Sequence, residues 1–189
     1  RRRAWRTKEP DAEETYPQAL LIDDAERDAR RFERLIAAAA RIVLAHPEGA
    51  GGLELRCGDR ALRARAGVHA GSPAHSPSGG KDAALLWLAA LDGPRGVPLD
   101  RTLEETLARA EPKRPVIAVA SSPNPRLIAA ANRPGGARRT PLEFVCAVSE
   151  AGFAPEERKL LGMMAAAGWR VTIAQGAAEH VPGAGTAHG

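Results

Sequence analysis

Apolar residues along the chain follow two spacings, and the switches between them predict the elements. Residues 18–22, "QALLI", form a short apolar run that halts at Asp23 and Asp24. A run of that length bounded by polar residues predicts a strand covered on both faces. Over residues 28–45, Phe32, Leu35, Ile36, Ala39, Ile42 and Val43 recur at helical spacing, with Arg30, Arg31, Arg34 and Arg41 on the wet side. That pattern predicts a long amphipathic helix. His46-Pro47 and the glycine-rich residues 48–52 end it, because neither proline nor glycine continues a helix cheaply. Leu53, Leu55 and Cys57 then alternate with polar residues, and residues 61–66 alternate again after Gly58-Asp59, which predicts a hairpin.

Residues 67–80, "GVHAGSPAHSPSGG", carry no periodicity and predict a long loop. Two helices follow, over 81–91 with Leu85, Leu86, Trp87 and Leu88, and over 99–110 with Asp100 as its cap. Gly93, Pro94, Gly96 and Pro98 separate them. The remainder repeats one unit: a β-branched strand over 114–120, a short helix over 124–132, a strand over 143–149, a helix over 155–167 and a last strand over 169–174.

Right-handed crossovers arrange these elements as an α/β fold, a doubly wound and mostly parallel sheet with helices on both faces and the hairpin at one edge. The expected strand order is third, second, first, fourth, fifth, sixth. Residues 18–175 make the domain, residues 1–17 an extended lead-in and residues 176–189 a flexible tail. At 189 residues the chain is long enough for one core without metal or disulfide support. The two cysteines test the order directly. Cys57 ends the second strand and Cys146 lies in the fifth, three strands away and so about 14 Å apart at ~4.8 Å per strand. A disulfide needs α-carbons within about 7 Å, so both are expected to be buried free thiols.

The charge is +4 with a pI near 9.6, yet the 27 basic and 23 acidic residues are interspersed. A dedicated nucleic-acid binder would cluster its basic residues, so none is expected as a partner. No apolar run approaches the ~20 residues of a membrane-spanning helix.

The order of elements is that of von Willebrand factor A-like domains. The chain resembles the A-like portion of bacterial proteins of the domain-of-unknown-function 58 family in its first strand ending in Asp, the long helix, the hairpin "GLELRCGDRA", the Gly/Ser/Pro loop leading to "LLWLAAL" and the closing "AAAGWRVTIA". The likeness covers residues 17–175. It implies the cytoplasmic domain of a membrane-anchored bacterial protein, with the anchor outside this chain. It also implies a role in assembly or maturation of a complex beside a MoxR-type AAA+ ATPase, as a non-enzymatic protein-interaction module without a cofactor.

Asp23 and Asp24 are the residues on which an alternative would rest. Metal-binding A domains hold magnesium with Asp-x-Ser-x-Ser, because a hard cation requires converging oxygen ligands. Here Asp23 matches the first position, but Ala25 and Arg27 stand in place of the serines, and the fourth strand ends in Ser121-Ser122 without a carboxylate. No metal site is expected. A receiver-like phospho-switch or a magnesium-dependent enzyme using Asp23 and Asp24 is the competing reading. The receiver resemblance of "LLIDD" lacks the acceptor Asp ending a third parallel strand and a Lys ending the fifth. The expected role of Asp23 or Asp24 is to cap the following helix.

Three weaker signals fail on spacing. Gly79-Gly80-Lys81 has His75 and Asp82 where a phosphate loop needs glycine and a hydroxyl. His69 and His75 have no nearby cysteine, and Ser121-Ser122 lack the glycine flanks of a nucleophile elbow. The expected binding surface is the carboxyl rim of the sheet: Asp23, Asp24, the loop 67–80, Ser121, Ser122 and Asn124, with no catalytic residue among them.

Overall fold

Strand β1 (Ala19–Ile22) lies inside a six-stranded sheet, with β2 (Leu53–Cys57) on one side and β4 (Val116–Ala120) on the other. Beyond β2 comes β3 (Arg60–Ala64), and beyond β4 come β5 (Leu142–Cys146) and β6 (Arg170–Ile173). The order β3-β2-β1-β4-β5-β6 is the one the sequence predicts, with β3 antiparallel to β2 and every other pair parallel. These relationships come from a computed structural model, which describes residues 16–47, 52–64, 80–132, 140–147 and 153–174. Residues 67–79 of the predicted loop 67–80, residues 1–15 of the lead-in 1–17 and the whole tail 176–189 lie outside the described residues.

Burial follows from the strand sequences. All four residues of β1 and all five of β4 are buried, as apolar runs in the middle of a doubly covered sheet must be. In β1, Ala19 and Leu21 face one layer while Leu20 and Ile22 face the other. Helices α1 (Ala29–Ala45) and α2 (Lys81–Ala89) cover the face of Leu20 and Ile22. Helices α3 (Leu99–Leu107), α4 (Pro125–Ala131) and α5 (Pro155–Ala166) cover the face of Leu21, Ala118 and Phe144. Right-handed crossovers on both sides of β1 account for this division. Edge strand β6 alternates exposed and half-buried residues, as a strand packed on one face does.

Two expected caps are corrected. Neither Asp23 nor Asp24 caps α1; Asp28 does, its side chain accepting the Arg31 amide at 3.0 Å from extended backbone. The chain makes a full turn between β1 and α1, so the acids nearest the strand lie too early to reach the helix. Asp100 does not cap α3. That helix starts at Leu99 with Pro98 as its N-cap, which places Asp100 in the first turn, where its charge complements the helix dipole.

Cys57 and Cys146 are both buried, and no disulfide joins them. Among the described residues no helix is long and apolar enough to cross a membrane.

Candidate functional site

In an open α/β sheet the strand order reverses at one point, and the crevice beyond the carboxyl ends of the strands there is where ligands bind. Here the reversal falls between β1 and β4. The Asp23 amide donates to the Val119 carbonyl at 3.0 Å, so the residues that follow the two strands, Asp23–Asp28 and Ser121–Asn124, leave the sheet side by side. The predicted rim residues therefore share one edge, but they do different things there.

Asp24 is enclosed, with 1% of its surface exposed. Its Oδ1 accepts from the Arg60 guanidinium at 2.8 Å and from the Cys57 thiol at 3.3 Å, and its Oδ2 accepts from the Val97 amide at 3.2 Å. Its backbone carbonyl accepts from the Gly96 amide at 2.8 Å. Arg60 also donates to the Gly93 carbonyl at 2.8 Å and to Asp92 at 3.1 Å. One carboxylate thus fastens three segments: the end of β1, the β2–β3 turn and the connection from α2 to α3. Gly58 lets that turn approach. Its φ of +60 suits the first position of a two-residue hairpin turn, and a Cβ on it would come within 2.5 Å of Asp24 Oδ2. Burial first, and then the hydrogen bond to Asp24, push the Cys57 thiol up to about 12. At physiological pH this sulfur is a protonated donor to the carboxylate and no nucleophile.

Asp23 is half-buried and accepts the Ala25 amide at 3.0 Å, an Asx turn that bends the chain away from β1. Burial raises its carboxyl above the ordinary range. The Ala25 amide opposes this, while the negative charges of Glu26, Asp24 and Asp100 reinforce it. Glu26 bridges the two strand ends. One of its oxygens accepts from the buried Ser121 hydroxyl and the other from the Asp28 amide at 3.0 Å. Asn124 caps α4, accepting the Arg126 amide at 2.9 Å, and Ser122 is half-buried beside it.

The five predicted rim residues are thus brought to one edge. Asp24 is sealed beneath it and Asn124 is committed to a helix end, which leaves Asp23 and Ser122 at the surface. Arg60 and Glu26 were not singled out from the sequence, and Gly58 only as part of the hairpin turn. The Gly-Asp turn contained a signal for Arg60, because a two-residue hairpin places it opposite Cys57, beside the end of β1. Glu26 offered none. Among the described residues no group of three or more His, Cys, Asp or Glu is placed to hold a metal ion. No protein-family model matches the chain, and no curated protein sequence matches it.

Proposed function

We propose that the domain is a protein-interaction module that meets its partner at the carboxyl rim of the sheet and performs no covalent chemistry there. The resemblance to the A-like portion of domain-of-unknown-function 58 proteins gives the partner its chemistry, a MoxR-type AAA+ ATPase, and the setting, assembly or maturation of a membrane-associated complex. The cytoplasmic side of the membrane is the compartment this reading requires.

One observation carries the reading. Of the two carboxylates that a phospho-switch or magnesium enzyme would use together, Asp23 and Asp24, the second is turned inward onto Arg60, Val97 and Cys57. A buried carboxylate paired with a part-buried guanidinium and hydrogen-bonded to an amide has little capacity left for a cation or a phosphoryl group, and its effect is to fix the loops around it. Fixed loops on a rigid sheet form a preorganised docking rim. The strand order supports the same choice. Receiver-type folds run 2-1-3-4-5, whereas this sheet has an antiparallel hairpin beyond its second strand.

The test uses the full chain and the MoxR-type ATPase encoded in the same genome, with binding followed by interferometry. Wild type should bind, and Ser122→Arg should weaken binding at least tenfold, roughly 1.4 kcal/mol, without lowering Tm. Absence of binding, or equal binding by the variant, overturns the reading. Magnesium titration addresses the competing enzyme: a ligand held by the native state must raise Tm. A rise lost in Asp23→Asn would favour that alternative.

A further inference from the structure

Two cavities among the described residues lie along a groove between α3 and the β2–β3 hairpin. The upper one, about 150 Å³, is lined by Gly58, Asp59, Val97, Arg101, Thr102 and Glu105. The lower one, about 60 Å³, has Glu54 and Arg63 on the hairpin side and Thr106 and Arg109 on the helix side.

The groove exists because α3 packs over β1 and stops short of the sheet edge. On this face β2 and β3 carry Glu54, Arg56 and Arg63 in place of apolar residues. Arg56 reaches from β2 to α3. Its side chain is 9% exposed, and it donates to Thr106 Oγ1 at 3.2 Å and to Glu105 at 2.9 Å. Its Nε has no hydrogen-bond partner. Glu54 faces Arg63 at 3.3 Å, Arg56 at 3.8 Å and Arg109 at 4.0 Å, and Glu105 faces Arg101 at 3.2 Å. Four guanidinium groups therefore share Glu54 and Glu105, while Asp59 at the upper cavity faces Arg95 at 4.0 Å. Arg63, Arg101 and Arg109 have 71%, 73% and 54% of their side chains exposed, which leaves most of their donors open to an incoming group.

We infer that this groove receives an extended acidic segment of a protein partner, its carboxylates taken by Arg63 on one wall and Arg101 and Arg109 on the other. Arginine forks match carboxylates two bonds at a time. Arg101 lies in the first turn of α3 and Arg109 in the turn that directly follows the helix, eight residues on; at helical rise that is about 12 Å, and four residues of extended chain span about 13 Å. Carboxylates at every fourth position would meet both. The two resident glutamates favour such a ligand over nucleic acid, whose unbroken row of phosphates would run against Glu54 and Glu105. The upper end of this groove adjoins the carboxyl rim, because Gly58 and Val97 also pack on Asp24, but its arginines are not rim residues and their role does not depend on the one proposed for the rim.

The experiment measures anisotropy of a fluorescein-labelled peptide with Glu at every fourth position among Ser and Thr, alongside its Glu→Gln counterpart and a labelled oligothymidylate, on the full chain. The Glu peptide should bind, weaken steeply with salt, and lose about tenfold in affinity in Arg63→Gln with Arg101→Gln, roughly 1.4 kcal/mol. Both side chains are mainly exposed, so the variant should keep its Tm. Asp23→Asn should bind the peptide like wild type. No measurable binding of the Glu peptide, equal binding of the Gln peptide, retention by the arginine variant, or tighter binding of the oligothymidylate would each overturn the inference.

Discussion

Arg60 and Asp24, 36 residues apart in the chain, meet at 2.8 Å with the carboxylate wholly enclosed and the guanidinium side chain 13% exposed. Breaking such a pair from one side leaves a buried charge uncompensated. We expect Arg60→Met to lower stability by about 3–5 kcal/mol in chemical denaturation. Adding Asp24→Asn should recover part of that loss, because the stranded charge is then gone while the Val97 amide keeps an acceptor. A cost of Arg60→Met below about 1 kcal/mol, the size of an exposed ion pair, would show that the pair does not fasten the loops.

Gly58 faces the same carboxylate. Alanine there meets a φ of +60 and places its Cβ 2.5 Å from Asp24 Oδ2 and 3.0 Å from Val97. We expect Gly58→Ala to cost about 2–4 kcal/mol, from backbone strain and displacement of the carboxylate together. Gly168, with a φ of +91 and nothing within 4 Å of a built Cβ, is the internal control. Gly168→Ala should cost less, and equal losses at the two positions would remove the contact with Asp24 from the account.

Cys57 and Cys146 are buried on strands separated by β1 and β4. Neither should react with a bulky aromatic disulfide reagent at mildly alkaline pH until denaturant is added, after which both should titrate together. With its thiol at about 12, Cys57 should stay slow even toward small alkylating agents. Rapid labelling of the folded chain would mean that the β2–β3 turn opens far more often than its contacts allow.

Asp23 makes a pH-dependent contribution whose sign runs against the usual carboxylate. Because burial raises its carboxyl above the ordinary 3.8, the folded chain holds that proton more tightly than the unfolded chain does. Its contribution is full below 3.8 and is lost as pH rises through the raised folded value. Asp23→Asn, which keeps an oxygen for the Ala25 amide, should therefore match or exceed wild type at neutral pH, with the gap closing in acid. Denaturation curves at the two pH values decide it; a variant that is weaker at neutral pH would mean that the ionised form is the one the fold prefers.

The sheet was legible in the sequence because its signals are local. β-branched runs mark strands covered on both faces, and a Gly-Asp turn between alternating segments marks a hairpin. Chirality then leaves few ways to order the strands. The cap of α1 was not legible, since Asp23, Asp24, Glu26 and Asp28 all precede the helix and only the backbone path selects Asp28. Nor was the fate of Asp24. Its partners Arg60 and Val97 come from other segments, and composition cannot tell an acid exposed on a rim from one buried beneath it. Asp100 was misplaced by two positions, because the helix begins at Leu99 with Pro98 as its N-cap.

The central position of β1 bears on how the chain reaches this structure during synthesis. Ala19–Ile22 is apolar toward both layers, and one side pairs early with β2, which follows within the same third of the chain. The other side waits for β4, where Leu20 pairs with Ile117. Until that segment leaves the ribosome, β1 offers an unpaired hydrophobic strand edge to any neighbouring nascent chain, and pairings of such sequence separation form slowly. Aggregation during expression should therefore depend on how long β1 remains unpaired, so that slowing translation between α1 and β4 would lower the yield of folded protein while leaving the stability of the finished domain unchanged.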